Sequence, residues 1–247
     1  MLYGVCPLSV VPVRAEAKNT SEMITQLLYG DHFEIIEDQK QWIKIRIAFD
    51  AYEGWLDRKQ CFEIDEVTFL KLNQKPKHTA DLFSLVNTNT NQLQPICIGS
   101  AIHAADILKH KFDGSVNTNF DKSNLVEIAM LYLNSPYLWG GKSPFGIDCS
   151  GFIQMVYKIN GISLQRDAHQ QAKQGDALSF IEESEPGDLA FFDNEEGHII
   201  HVGIMLKDNF IIHAHGQVRL DRIDHSGIFN VDTNRYSHNL RVIKKIV

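Results

Sequence analysis

The sequence has 247 residues, of which 44% are hydrophobic and 22% are charged, and its formal net charge is −7. This composition predicts a soluble globular protein of roughly one to three domains, and no apolar run reaches the ~18 residues of a membrane-spanning helix. Its four cysteines, Cys6, Cys61, Cys97 and Cys149, are too scattered for a disulfide scaffold. The acidic balance, without any Lys/Arg block, argues against nucleic-acid binding.

The N-terminal segment, Met1 to Val5, has no basic stretch ahead of its few apolar residues. We therefore interpret it as a first strand and not as a signal peptide. On that interpretation, a cytoplasmic location is expected.

Residues 1–62 have the pattern of a small β-domain. His32–Glu37 and Trp42–Ile47 predict strands separated by a polar turn, and the isoleucines of the second strand alternate strictly with polar residues. Short strands, an early polar loop and a late Gly54-Trp55 pair resemble a bacterial SH3-like (SH3b) barrel. This region is therefore predicted to be an SH3b domain.

Residues 63–116 are less regular. Phe69–Leu72, Leu82–Val86 and Pro95–Gly99 look like strands between polar turns. They suggest a second, divergent SH3b-like domain. The alternative is a β-rich connector packed against the domain that follows.

Helical patterns follow a polar boundary near residue 117. Ser123 is a plausible N-cap for a helix that Pro136 stops, and a second helix is predicted to run from Cys149 to Gly161. Asp167 can cap a third, short helix. Strands are predicted after Pro186, over the ranges 189–192, 198–206, 210–214 and 240–247. Helices followed by an antiparallel sheet predict an α+β fold.

Cys149 is the candidate nucleophile. The N-terminus of a helix favours an anion, so a cysteine there is expected to ionise more readily and its neighbouring N–H groups could hold an oxyanion. Ser150 and Gly151 are small and would let a substrate approach.

His201 is the candidate base, on a predicted strand where Gly203 is expected to leave room for a ligand. A hairpin centred on Lys207 would put His213 directly across from His201, as the residue that orients it. His198 lies beside a predicted turn and is expected to be exposed, and His215 to line only the rim.

A zinc site is the alternative for these histidines. No HExxH pattern or comparably spaced carboxylate accompanies them. We therefore expect no metal and no cofactor.

Several motifs occur in a fixed order over residues 124–247. They are Tyr137-Leu138-Trp139-Gly140-Gly141, Asp148-Cys149-Ser150-Gly151-Phe152, Arg166-Asp167, Pro186-Gly187-Asp188, His201-Val202-Gly203-Ile204 and Ile212-His213-Ala214. Together they resemble the NlpC/P60 family of papain-like cysteine peptidases, which cut bacterial cell-wall peptides. The SH3b-like half resembles the domains that often accompany this catalytic domain.

The resemblance implies a peptidase that cleaves between γ-D-Glu and a diamino acid, meso-diaminopimelate or L-Lys. The implied substrate is a murein peptide with a free N-terminal L-Ala, and the implied product is L-Ala-D-Glu, as in cell-wall peptide recycling. A monomer without nucleic-acid or membrane partners is expected. The rivals are an amidase or acyltransferase on the same fold, and a non-catalytic wall-binding protein.

The resemblance also implies roles for individual residues. Cys149 would be the nucleophile, His201 the base and His213 the third member, with Tyr137 near the oxyanion or the bound peptide. The residues implied to line the substrate pocket are Trp139, Asp148, Ser150, Arg166 and Asp167, where Asp148 would pair with the amine. From the SH3b domain, Glu16 or Glu22 and Tyr52 are candidates for amine recognition. Ala168 replaces a serine that some relatives carry, so any contact made by that hydroxyl is absent.

Overall fold

The structure is a computed structural model that describes residues 2–74 and 76–247. The chain forms two compact units, residues 1–118 with 139–144 and residues 119–138 with 145–247. Met1, with which the predicted first strand starts, lies outside the described residues. Within the described ranges, no helix is long and apolar enough to span a membrane.

The first unit is built mainly from short antiparallel strands. Its elements are β1 (Leu2–Val5), β2 (Val10–Arg14), β3 (Met23–Leu28), β4 (His32–Asp38), β5 (Trp42–Ile47), β6 (Glu53–Asp57), β7 (Phe62–Ile64), α1 (Glu66–Leu72), β8 (Phe83–Asn87), β9 (Leu93–Cys97), β10 (Lys111–Phe112) and β11 (Lys142–Ser143).

Strands β1–β7 form one sheet in the order β3-β2-β6-β5-β4-β1-β7. The predicted alternation in β5 is confirmed, since Ile43, Ile45 and Ile47 are all buried. They join a core with Val11, Val13, Leu27, Phe33 and Leu56. One-sided burial of alternating residues fixes which face of each strand points inward.

Residues 63–116 contain α1 and a three-stranded sheet in the order β10-β8-β9. The strand predicted at Phe69–Leu72 is wrong, because these residues belong to α1. Asp65 caps this helix by accepting a hydrogen bond from the Thr68 N–H at 2.8 Å, and burial of Phe69 and Leu72, three residues apart, fits a helix and not a strand. Among the described residues, the predicted second barrel consists of the end of β7, α1 and the strands β8, β9 and β10, and its status as a separate domain stays a prediction.

The second unit contains three helices and a curved sheet. Its elements are α2 (Lys122–Leu131), β12 (Gly146–Ile147), α3 (Cys149–Ile159), α4 (Ala168–Gln171), β13 (Asp176–Leu178), β14 (Leu189–Asp193), β15 (Ile199–Met205), β16 (Phe210–His215), β17 (Gln217–Asp224), β18 (Gly227–Asn230) and β19 (Arg235–Lys245). The N-cap of α2 is Asp121, so Ser123, the predicted N-cap, is instead the second residue of the helix.

Strands β14–β19 close into a six-stranded barrel, because β18 pairs with β19 at the end of the order β19-β14-β15-β16-β17-β18. Its interior is filled by a buried cluster that comprises Ala190, Phe192, Met205, Ile211, Ile223, Ile228 and Ile243. The alternate residues of β15, Val202 and Ile204, are also fully buried and face outward, where α3 packs. This packing brings the start of α3 beside β15.

Candidate active site

Cys149 begins α3, as the sequence predicts. Asp148 is the N-cap, and its Oδ1 accepts a hydrogen bond from the Gly151 N–H at 2.6 Å. The Asp148 side chain satisfies one of the first N–H groups of the helix, so a residue adjacent in sequence determines where the helix starts. The Cys149 side chain is almost fully buried.

His201 and His213 are in contact, but not in the predicted register. Gly203 pairs with His213, and the Leu206 N–H donates to the Phe210 carbonyl, so the hairpin is centred on Asp208 and not on Lys207. His213 is therefore diagonal to His201, and Nε2 of His201 lies 2.8 Å from Nδ1 of His213. Diagonal neighbours on one face of a sheet are within reach of long side chains.

Gly203 lies directly opposite His213, and its lack of a side chain leaves space for the His213 side chain. A Cβ at this position would lie 2.7 Å from Ile211 Cδ1 and 3.0 Å from His213 Cβ. The expectation that Gly203 leaves room for a ligand is therefore wrong, because protein side chains fill the space.

Two residues of β17 that the sequence alone did not indicate complete this arrangement, in which Asp221 holds His213 and Arg219 holds Asp221. Nε2 of His213 lies 3.0 Å from Oδ2 of Asp221, and both side chains are fully buried. Arg219 donates two hydrogen bonds to the same carboxylate, at 2.7 and 3.0 Å. Although burial opposes ionisation, the hydrogen bonds from His213, Arg219 and the Val231 N–H hold the pKa of Asp221 well below its usual range.

These contacts decide the tautomers of both histidines. The ionised Asp221 can only accept, so Nε2 of His213 carries a proton and Nδ1 of His213 is an acceptor. Nε2 of His201 must then donate to that acceptor, which leaves Nδ1 of His201 unprotonated. Burial lowers the pKa of both histidines, which favours these neutral forms.

The Cys149 thiol is not acidified by its position. Burial and the neighbouring Asp148 raise the pKa of Cys149 to about 12, although N–H groups of Ser150 and Val202 favour the thiolate. Burial thus opposes the acidification expected from the helix N-terminus in the unliganded protein. The direction of both pKa shifts favours a neutral thiol beside a neutral imidazole.

A cleft of about 190 Å³ opens onto Cys149 and His201. Its other lining residues are Tyr137, Ile200, Ala214, His215, Gly216 and His238. Burial and the nearby Cys149 raise the pKa of Tyr137 to about 12, so its hydroxyl remains a hydrogen-bond donor near the thiol. His215 is exposed at the rim and His198 is exposed outside the cleft, as the sequence predicts.

A buried polar cluster lies beside the thiol. Arg166 donates to both carboxylate oxygens of Asp148, at 3.0 and 2.6 Å, and to the Ser150 hydroxyl at 3.0 Å. Gln171, which the sequence analysis did not single out, donates to the Ser150 carbonyl at 3.0 Å. Asp167 instead caps α4 in a capping box with Gln170. One hydrogen-bonded cluster therefore contains Asp148, Ser150 and Arg166. Asp167 follows this cluster in sequence and caps the next helix.

The remaining predicted residues belong to the first unit. The Trp139 indole donates to Glu22 at 2.6 Å, whereas Glu16 pairs with Lys18 at 2.5 Å. Tyr52 packs against the barrel core. The structure thus associates Glu22, and not Glu16, with Trp139, while the substrate roles of these residues stay predictions.

One group of histidines comes close enough together to be considered as a metal site. Nitrogen atoms of His201, His213 and His238 lie within 4.8 Å of one another. His201 and His213 are already hydrogen-bonded to each other through Nε2 and Nδ1, and the rings of His201 and His238 are stacked. The absence of a metal therefore stays a prediction, and the hydrogen bond between the two histidines suits proton transfer.

Two family models match separate parts of the chain. Residues 134–236 match the NlpC/P60 family, and residues 13–60 match the bacterial dipeptidyl-peptidase Sh3 domain. The chain is 28% identical over 238 residues to dipeptidyl-peptidase 6 of Lysinibacillus sphaericus, over 81% of this chain and 83% of that protein. It is 26% identical over 233 residues to the gamma-D-glutamyl-L-lysine dipeptidyl-peptidase of Bacillus cereus, over 79% of this chain and 68% of that protein.

The fold is similar to that of a solved protein. A crystal structure of an NlpC/P60 family protein from Bacillus cereus superimposes with a TM-score of 0.77 over 99% of both chains, at 18% identity. The predicted α+β fold with an N-terminal SH3-like barrel is confirmed by this similarity and by the two matched families.

Proposed function

Because this chain is a peptidase of the NlpC/P60 family with a bacterial dipeptidyl-peptidase SH3 domain, we propose that it hydrolyses γ-D-glutamyl–diamino acid bonds in murein peptides. Relatives that match about four fifths of the chain carry the names dipeptidyl-peptidase 6 and gamma-D-glutamyl-L-lysine dipeptidyl-peptidase. The observation that carries the proposal is the buried chain of contacts from His201 through His213 to Asp221, together with the cleft that Cys149 and His201 both line.

In this proposal Cys149 is the nucleophile and His201 the base. Nδ1 of His201 takes the thiol proton as the sulfur attacks the γ-glutamyl carbonyl, since Nε2 is already committed to His213. The imidazolium then donates this proton to the leaving amine as the C–N bond breaks, and a thioester remains on Cys149. Water attacks the thioester and gives one proton back through His201 to the sulfur, which releases L-Ala-D-Glu.

His213 and Asp221 act on His201 without touching the substrate. They hold the imidazole in one tautomer, and the carboxylate stabilises the positive charge that His201 gains during the reaction. Charge stabilisation of this kind matters because the thiol starts neutral, with a pKa raised to about 12.

The polar cluster beside Cys149 supports recognition of the dipeptide end. Asp148 would pair with the free amine of L-Ala. Because its carboxylate already accepts hydrogen bonds from Arg166, the ammonium group and Arg166 would bind the same carboxylate. A pocket that holds a charged amine excludes L-Ala still joined to the wall sugar. The proposed substrates are therefore released peptides. A role in peptide recycling and a cytoplasmic location of the protein stay predictions. Fractionation of the native cells, with detection of the protein in each fraction, would test the location.

The test is incubation with L-Ala-γ-D-Glu-diaminopimelate, its L-Lys counterpart and the N-acetylated form of each. Release of L-Ala-D-Glu and free diamino acid from the free-amine forms alone is the expected result. Cys149→Ala should abolish the reaction, whereas Cys97→Ala, which alters a buried free cysteine of the first unit, should leave it intact. Equal turnover by the Cys149→Ala protein, or transfer to added amines in place of hydrolysis, would contradict the proposal.

A further inference from the structure

His238 is a histidine of the cleft for which the proposed reaction has no role. It lies on β19, and two irregularities in the pairing of this strand place it there. Opposite β14, Phe191 pairs with Val242 but Phe192 with Leu240, so Arg241 is an extra residue. Opposite β18, Ile228 pairs with His238 but Phe229 with Tyr236, so Ser237 is extra.

The bulge at Arg241 changes which residues of β19 point into the barrel. Ile243 is an interior residue, and strict alternation would continue inward with residues 241 and 239. The extra residue instead turns Leu240 inward, together with His238. Bulges are frequently found beside active sites, where they redirect a side chain.

The ring of His238 lies flat against His201. The two ring centroids are 4.1 Å apart with an interplanar angle of 21°. Phe192 lies 5.9 Å from the His238 ring in an edge-on arrangement, and the His215 ring lies 4.9 Å away, also edge-on. His238 is thus packed on more than one side and covers one face of the proposed base.

A neighbouring hydroxyl holds the His238 ring. Oγ of Ser237 lies 2.9 Å from Nδ1 of His238 and donates to the Ile228 carbonyl at 3.4 Å. The tautomer of His238 decides whether Oγ or Nδ1 donates in this contact. A ring anchored at Nδ1 cannot rotate out of the stack without losing this bond.

We propose that His238 is a positioning residue, which fixes the ring plane of His201 by stacking and supports the imidazolium that His201 becomes. The inference rests on the proposed function, in which His201 carries the proton. Burial lowers the pKa of His238 to about 4, so its ring is neutral when the charge forms on His201. A neutral aromatic face stabilises a cation placed over it.

The experiment compares His238→Ala, which removes the stacked ring, with His238→Phe, which keeps an aromatic face but cannot exchange a proton. We expect His238→Ala to lower kcat by about tenfold with KM little changed, because a mispositioned base slows the chemical step and not binding. His238→Phe should recover most of kcat. The matched control is His198→Ala, which removes an exposed histidine just before β15 and should leave both constants unchanged.

A second readout does not depend on the substrate. Alkylation of Cys149 by iodoacetamide requires removal of the thiol proton, so His238→Ala should slow it several-fold and His238→Phe should restore it. If the wild-type protein fails to cleave the tripeptides, the proposed function is wrong and alkylation still tests the inference. Unchanged kcat and alkylation in a folded His238→Ala protein, or a rise in KM alone, would overturn it.

Discussion

Asp221 accepts a hydrogen bond from His213 at the end of the barrel interior, with Nε2 of His213 3.0 Å from Oδ2 of Asp221. Neither side chain is accessible to solvent. This contact sets the tautomer of His213 and, through it, that of His201. The tautomer of the proposed base is thus decided by Asp221, which acts on His201 through His213.

Replacement of Asp221 by Asn tests this dependence. An amide can present its NH₂ group to His213 and reverse the tautomers along the chain, which would place a proton on Nδ1 of His201. We expect kcat to fall at least tenfold with little change in KM, by analogy with the loss of an orienting carboxylate in a catalytic triad. Steady-state kinetics on the tripeptide would measure this.

Asp208→Asn is the matched control for that substitution. Asp208 lies exposed in the β15–β16 turn at a φ of 58°, a conformation that asparagine also adopts readily. Its activity should equal that of the wild type. An Asp221→Asn protein as active as this control would show that the carboxylate does not orient His213.

Alkylation of Cys149 should depend on pH in a way that follows from its burial. Because the pKa of the thiol is raised to about 12, the thiolate fraction should rise continuously between pH 6 and pH 9. The rate of iodoacetamide labelling, followed by mass spectrometry, should therefore increase across this whole interval. A rate that is already constant from about pH 5 would instead indicate a preformed thiolate–imidazolium pair.

Arg166→Met should destabilise the second unit. The Arg166 side chain is 1% exposed, and its loss removes two charge-assisted hydrogen bonds from the buried Asp148 carboxylate. Breaking such a pair costs about 3–5 kcal/mol of unfolding free energy, which urea denaturation would measure. Arg241→Met is the control, because Arg241 is exposed and lies 3.7 Å from Asp193, so that a change below about 0.5 kcal/mol is expected. Similar small losses for both variants would contradict this prediction.

Gly203→Ala should disturb both packing and activity. The new Cβ would lie 2.7 Å from Ile211 Cδ1 and 3.0 Å from His213 Cβ, so one of these side chains must move. Overpacking of this kind costs about 1–3 kcal/mol, and displacement of His213 should also lower kcat. Since Cγ1 of Ile211 would also lie at 2.8 Å, adding Ile211→Ala, which removes both atoms, should relieve the overlap and restore part of kcat. If the double variant is no better than Gly203→Ala, the steric explanation is wrong.

Local signals were sufficient where neighbouring residues decide the structure. The start of α3 depends on Asp148, Cys149 and Gly151, which are adjacent in sequence, and it was predicted correctly. The same kind of signal is present at Asp65, which caps α1, but the short apolar run after it also fits a strand. Periodicity over so few residues does not separate helix from strand.

The hairpin of β15 and β16 shows how a small local error changes contacts. Asp208 and Asn209 both adopt positive φ, and this turn shifts the pairing so that Gly203, and not His201, lies opposite His213. The predicted contact between the histidines survives only because Gly203 has no side chain. Their pairing was therefore predicted correctly, but for an incorrect geometric reason.

The sequence by itself determined the order of the motifs, the helix start at Cys149 and the presence of two histidines able to serve it, because these depend on nearby residues and on residue type. Only the tertiary structure brings Asp221 to His213 and His238 to His201. Asp221 reaches His213 through pairing of β16 with β17, and His238 reaches His201 through barrel closure and a bulge that inverts the alternation of β19. Such contacts depend on strand register and closure, which a pattern of single residues does not encode.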